Sequence, residues 1–329
     1  MTTKSQNRID VHHHFLPPAY TEVIKVQSDP SGWEEPTWSL PMSKDFMSAH
    51  GIKTTIFSVS APGVDVMTPE QGIAVSRQCN EYGAHLRDSS PSHYGFFAMV
   101  PDPSISLPAT LSEIKYAFET LHADGVCLLT RYGKHGGYLG HPEYTPLWDD
   151  LNSRHAVVFV HPNHPADTEL VNPALPSPLA DYTHETTRFA LDMITSDTIS
   201  SHAHNCKIIL SHAGGTLPFI AHRVASALPS LLNHHHLKAK TFSEIMAEMK
   251  SFYLDLALGS NELSLPLLLK FTGPRRLLFG SDLPYPTRET MDYFTGELDG
   301  YQRGSMSEED AYAVDCGNAL ELFPRLKGV

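Results

Sequence analysis

The chain has little cysteine. Cys79, Cys127, Cys206 and Cys316 are the full set, widely separated and without metal-ligand or redox spacing. A disulfide framework and a thiolate zinc site are therefore excluded, and buried free thiols in a reducing compartment are expected. Basic residues are also short, with 24 Lys and Arg against 37 Asp and Glu and a formal net charge of -13. A general nucleic-acid binder needs a cationic surface to neutralise phosphates, so this composition argues against that class. No apolar run approaches the roughly 20 residues of a membrane-spanning helix. Met1 to Arg8 is polar and lacks the apolar centre of a signal peptide, so a cytoplasmic protein is expected. No Gly-rich phosphate loop follows the first apolar run, which argues against a dinucleotide-binding, doubly wound sheet.

Histidine is abundant instead, with 20 residues, and 41% of the chain is apolar, enough for a substantial core. Short apolar runs alternate with longer amphipathic stretches. Strands are predicted near Ile9–Val11, Thr54–Val59, Tyr94–Val100, Gly125–Thr130, Ala156–Val160, Cys206–Leu210, Phe252–Leu256 and Leu277–Gly280. Runs such as AVVFV and CKIIL are continuous rather than alternating, the pattern of parallel strands buried on both faces. Helices are predicted between them, among others at Pro69–Arg87, Leu111–His122, Pro142–Asn152, Thr183–Ser201 and Leu217–Leu232. Eight strand–helix units along 329 residues predict one α/β domain, a (β/α)8 TIM barrel, with an insertion at about 15–45. That insertion is rich in Pro, Trp and Ser and suggests a loop with a small hairpin over the barrel mouth. A second long loop is expected from about Pro162 to Asp181, and a terminal helix at Met306–Phe323 capped by Ser307.

Four motifs each follow a predicted strand: Asp10-Val11-His12-His13-His14, Val160-His161-Pro162, Ser211-His212-Ala213-Gly214-Gly215 and Gly280-Ser281-Asp282. His12 and His14 lie two apart on an extended chain, so their side chains share a face and His13 points the other way. Any one of these motifs has an ordinary structural explanation, such as a turn aspartate in Gly-Ser-Asp. Their joint placement after strands one, five, six and eight is harder to explain so, because a barrel gathers the carboxyl ends of its strands at one face. His12, His14, His161 and Asp282 are the expected ligands of one divalent metal, with a position left for water or substrate.

On the motifs DVHHHF, FVHPNHP, LSHAGGTLPFIAHR, LFGSDLPYP and GNALELF the chain resembles the amidohydrolase superfamily. Within it, the resemblance is to the branch of aminocarboxymuconate-semialdehyde decarboxylase and the aromatic acid decarboxylases. The resemblance implies the same four ligands, a catalytic role for His212 beside them, and a substrate-carboxylate role for Arg223 reaching into a neighbouring subunit, hence a homodimer. Many superfamily hydrolases hold two metals through a carboxylated Lys after strand four. Gly125 to Arg131 offers no Lys, so one metal is expected, Zn²⁺ first with Mn²⁺ as the alternative. YLGHP with Pro146-Leu147-Trp148, and Phe252-Tyr253-Leu254-Asp255, look closest to the 6-methylsalicylate decarboxylases of fungal polyketide pathways. A small ortho-hydroxy aromatic acid is then the expected substrate, with Asp282 or His212 carrying the proton and Phe15 and Tyr285 holding the ring. The rival reading is a mononuclear metal hydrolase of a lactone or amide, in which the same ligands activate water.

Overall fold

The computed structural model describes residues 7–26, 31–133 and 137–328. Eight strands form one parallel sheet in chain order: β1 (Arg8–His14), β2 (Ile52–Ser58), β3 (Tyr94–Met99), β4 (Gly125–Leu129), β5 (Val157–His161), β6 (Lys207–Leu210), β7 (Tyr253–Asp255) and β8 (Leu277–Leu278). The two ends of the sheet meet. The Val11 N–H donates to the Phe279 carbonyl at 3.1 Å and the His14 N–H to that of Leu283 at 2.7 Å. The predicted (β/α)8 barrel is the observed fold.

Two apolar layers hold it together. Inside the barrel, Val11, Ile56, Phe97, Phe159, Ile209 and Leu278 stack into one cluster. That cluster continues into Cys316, Leu322 and Phe323 of the C-terminal segment, which therefore plugs the amino-terminal end of the barrel. The opposite faces of β2 to β8 pack against the surrounding helices in a second, larger cluster. Sealing one end leaves the carboxyl ends of the strands as the open mouth. Among the described residues, no helix is long and apolar enough to cross a membrane. Cys79, Cys127 and Cys316 are buried free thiols and Cys206 is half-buried.

Several local expectations are corrected. The insertion after β1 holds no hairpin among its described residues. It holds two helices, α1 (Pro18–Ile24) and α2 (Leu40–His50), each with a proline in its first turn, where a missing N–H costs nothing. The Ser39 hydroxyl caps α2 by accepting from the Met42 N–H. An antiparallel pair lies instead after β4, joining Arg131–Tyr132 to Gly137–Tyr138. The loop after β5 is shorter than expected, because α3 (Ser177–Thr195) starts on Ser177-Pro178. That helix stops at Thr195, and the left-handed backbone of Asp197 (φ 64°) separates it from α4 (Thr198–His202), so the predicted helix through Ser201 is two. Ser307 caps the terminal segment as expected, by accepting from the Asp310 N–H. The helix then widens into a π turn at Ala313–Gly317 before ending at Leu322.

Candidate metal centre

The site starts from an irregular β1. Its register against β2 shifts between Asp10 and His13, a bulge that re-aims the side chains beyond it. His13 is turned away from the mouth: its Nδ1 meets the Asp10 carboxylate at 3.0 Å and its Nε2 the Ser43 hydroxyl at 2.9 Å. It is structural, as expected. Asp10 also accepts from the Ser281 N–H and hydroxyl, at 3.1 and 2.6 Å. Strand one therefore fixes the loop that carries Asp282. The Asp282 N–H donates to the His12 carbonyl at 2.7 Å and its backbone is left-handed (φ 65°), which aspartate tolerates better than most residues.

One ligand atom each from His12, His14, His161 and Asp282 lie within 4.8 Å of one another, all buried. Each imidazole is oriented by its outward nitrogen. His12 Nδ1 faces the Asp255 carboxylate at 2.9 Å, His14 Nδ1 the Ser58 carbonyl at 3.2 Å, and His161 Nδ1 the Pro162 carbonyl at 2.8 Å. The Ser58 hydroxyl also meets His14 Nδ1, at 3.0 Å. Since the carboxylate and the two carbonyls can only accept, each Nδ1 carries the proton and each Nε2 points inward as a donor to a metal. The inward atoms crowd together. His12 Nε2 and His14 Nε2 stand 3.0 Å apart, and Asp282 Oδ1 stands 3.2 and 3.1 Å from them. Three converging lone-pair atoms need a cation among them, a proton or a metal. The donor set fits a single metal, and no second such group of His, Cys, Asp or Glu occurs among the described residues.

The titrations agree with this geometry. Burial pulls His12 down, but the carboxylates of Asp255 and Asp282 outweigh it and hold His12 up at about 10. Burial lowers His14, and lowers His161 further with help from the neighbouring His14 and His12 charges. Asp282 is pushed up by burial, yet His12 and His14 bring it well below the usual carboxylate range. His212 is lowered by burial and then by His12. Its ring lies 4.8 Å from that of His12, and its Nδ1 is buried without a hydrogen-bond partner among the described residues.

Above the ligands lies a cavity of about 150 Å³, mostly apolar, reached by His161, His212 and Asp282 and walled by Trp33, Tyr182, Leu258 and Tyr285, among others. Phe159 of the barrel-interior cluster supports His12 from below, its ring 5.0 Å from that of His12. Tyr285 is where the sequence placed it, with its ring 5.3 Å from His14. Phe15 is not part of the cavity wall. It is buried in the core, stacked on Phe57 at 5.4 Å and on Tyr82 at 6.1 Å. Arg223 sits on the exposed face of α5 (Leu217–His234) and does not line this cavity.

Residues 9–325 match the model of the amidohydrolase family. The chain belongs to the amidohydrolase family. It is 46% identical over 98% of both chains to a 6-methylsalicylic acid decarboxylase of Penicillium expansum. It is 43% identical over 97% of both chains to another 6-methylsalicylic acid decarboxylase, from Aspergillus aculeatus. A solved structure of an amidohydrolase II superimposes with a TM-score of 0.85 at 27% identity, covering 97% of this chain and all of that one.

Trp33, Tyr182 and Leu258 of this amidohydrolase's cavity wall, and Asp255 behind His12, were given no role by the sequence. Trp33 belongs to a long insertion, where no periodicity reports direction. Asp255 ends β7 and could have been found by the same strand-end logic that found His161. Besides holding His12, its second oxygen accepts the N–H groups of His212 and Ala257, at 3.2 and 3.0 Å. Asp255→Asn keeps that shape and removes the charge. Its expected effect is a loss of about 10–100-fold in metal affinity, read by competition with a chelating dye. An unchanged affinity would reduce Asp255 to a packing role.

Proposed function

We propose that this chain is a metal-dependent, non-oxidative decarboxylase of ortho-hydroxybenzoates, converting 6-methylsalicylate to 3-methylphenol and CO₂. The observation that carries the reading is the similarity to two decarboxylases of that acid over nearly the whole chain, with the ligand set intact. The cavity supports it in size, since roughly 150 Å³ of apolar space accommodates one benzene ring. Zn²⁺ is the proposed metal on the basis of three imidazoles and one carboxylate, and Mn²⁺ is the alternative. When bound, the cation supplies positive charge that neutralises and orients the acid and its ortho oxygen.

The remaining chemistry belongs to the side chains. Direct loss of CO₂ from a benzoate would leave an aryl anion, so the ring carbon bearing the carboxylate must be protonated first. Asp282 stands ionised, so it takes the proton of the ortho hydroxyl rather than bringing one of its own. The resulting phenolate pushes its electron pair into the ring, and that carbon accepts the proton back from Asp282. The bond to the carboxylate then breaks, its electron pair restores the aromatic ring, and the phenolate collects a solvent proton on release. His212, neutral and with a free nitrogen, is the second group able to hold this proton. Trp33, Tyr182 and Tyr285 wall the ring in and keep bulk water from the protonation step. No Arg or Lys lines the cavity among the described residues. If Arg223 pairs with the substrate carboxylate, a second copy of the chain has to supply it, which is the basis for proposing a homodimer. A cytoplasmic location, expected from the unpaired thiols, is part of the same reading.

The test measures metal content and CO₂ together, with purified protein and a panel of hydroxybenzoates that includes 6-methylsalicylate. About one metal per chain with CO₂ and 3-methylphenol from that acid supports the reading. Metal without CO₂ from any acid overturns it in favour of a hydrolase.

A further inference from the structure

Each of the turns after β6, β7 and β8 carries a non-glycine residue with a left-handed backbone: His212 (φ 53°) with its neighbour Ala213 (φ 58°), Leu258 (φ 54°) and Asp282 (φ 65°). They follow β6, β7 and β8, so they are neighbours around the rim. His212 and Asp282 are the two groups able to carry a proton in the reading above. Leu258, between them, has no chemistry of its own. It sits third in a turn from Leu256 to Gly259, closed by the Gly259 N–H donating to the Leu256 carbonyl at 3.1 Å. A positive φ at that position favours Gly or Asn, and leucine is strained there. Gly259 packs closely against the His212 turn. A Cβ at Gly259 would come within 2.6 Å of the Ala213 Cβ. The strained side chain is half-buried and lines the same cavity as His212 and Asp282.

We infer that Leu258 is a specificity-determining residue, the wall against which the ring substituent beside the reacting carbon is packed. The inference rests on the decarboxylase reading for its substrate. Whichever of His212 and Asp282 protonates the ring, the reacting carbon must lie within hydrogen-bond reach of it. One ortho neighbour of that carbon bears the hydroxyl. The other bears the methyl group of 6-methylsalicylate, one bond further on, and it lies against the rim between the two proton carriers. Leu258 is the side chain of that stretch of rim. An apolar wall there favours methyl over hydrogen and rejects longer chains by contact.

The experiment compares wild type, Leu258→Ala and Leu258→Gly on salicylate, 6-methylsalicylate and 6-propylsalicylate. Both CO₂ release and binding by titration calorimetry are read. The preference for 6-methylsalicylate over salicylate is expected to fall about tenfold in both variants, in kcat/KM and in Kd alike, while the propyl acid gains. Leu258→Gly should melt at or above the temperature of Leu258→Ala, because glycine adopts the positive φ freely. That comparison shows that each variant is folded. An unchanged preference, with all three acids weakened alike, would assign Leu258 to the turn alone and overturn the inference. Wild type that binds with a methyl preference lost in the variants, yet releases no CO₂, would sustain Leu258 and sink the decarboxylase reading. CO₂ released from salicylate and its methyl homologue at equal kcat/KM would sustain the decarboxylase and sink Leu258. Wild type that binds none of the acids would sink both.

Discussion

Asp282→Asn is expected to lower kcat for 6-methylsalicylate by about 10³-fold or more, the scale of losing a positioned proton carrier together with its charge. The substitution is chosen for its backbone. Asp282 sits at φ 65°, a region where asparagine is tolerated at least as well as aspartate, so the loop should keep its path. The N–H that donates to the His12 carbonyl is retained, and an amide oxygen can remain beside His12 and His14. What disappears is the charge and the ability to accept and return a proton. Metal content, measured on the same samples, separates the two roles. A protein that keeps about one metal per chain and loses activity on this scale identifies Asp282 as the proton carrier. A protein that loses its metal identifies it first as a ligand. A variant that keeps the metal and works within tenfold of wild type would move the proton to His212.

The outline of this site was legible because barrel strands write themselves plainly. Parallel strands buried on both faces must be continuous apolar runs, and a polar residue that ends such a run stands at the mouth by topology alone. His161 after VVFV and Asp282 after LLFGS could therefore be placed beside His12 and His14 across long stretches of sequence. What escaped was whatever depends on tertiary contact. The short helices α1 and α2 lie in a segment whose prolines resemble a loop, and they draw support from burial of Tyr20, Phe46 and Met47 against the barrel. Asp197 splits a helix through one left-handed residue, and aspartate alone does not announce that conformation. Phe15 was drawn toward the cavity by its place beside His14. It follows His14 on an extended chain, and the same alternation that pairs His12 with His14 turns it to the core, where Phe57 meets it.

The second large effect concerns metal uptake. When protein stripped by a chelator takes its metal back near pH 7, about one proton per chain is expected to be released, and the apparent affinity should rise about tenfold per pH unit. The hydrogen-bond inventory sets the number. His14 and His161 each carry one proton on the nitrogen that faces a carbonyl, and burial keeps them from taking a second. His12 differs, because Asp255 grips one nitrogen while the other faces His14 Nε2 and the Asp282 carboxylate. It therefore holds both protons, with its pKa raised to about 10, until a metal replaces the inner one. The sign follows for stability as well. The ion pairing of His12 supports the stripped protein fully below the ordinary histidine pKa of about 6.5 and is lost as pH rises through about 10. The affinity gain should level off above that point, where no proton remains to compete. Calorimetric titrations in buffers of different ionisation enthalpy count the protons directly. No proton released would mean that His12 is neutral beside two carboxylates. Three would mean that burial fails to keep His14 and His161 neutral, and either count would overturn the electrostatic account of the centre.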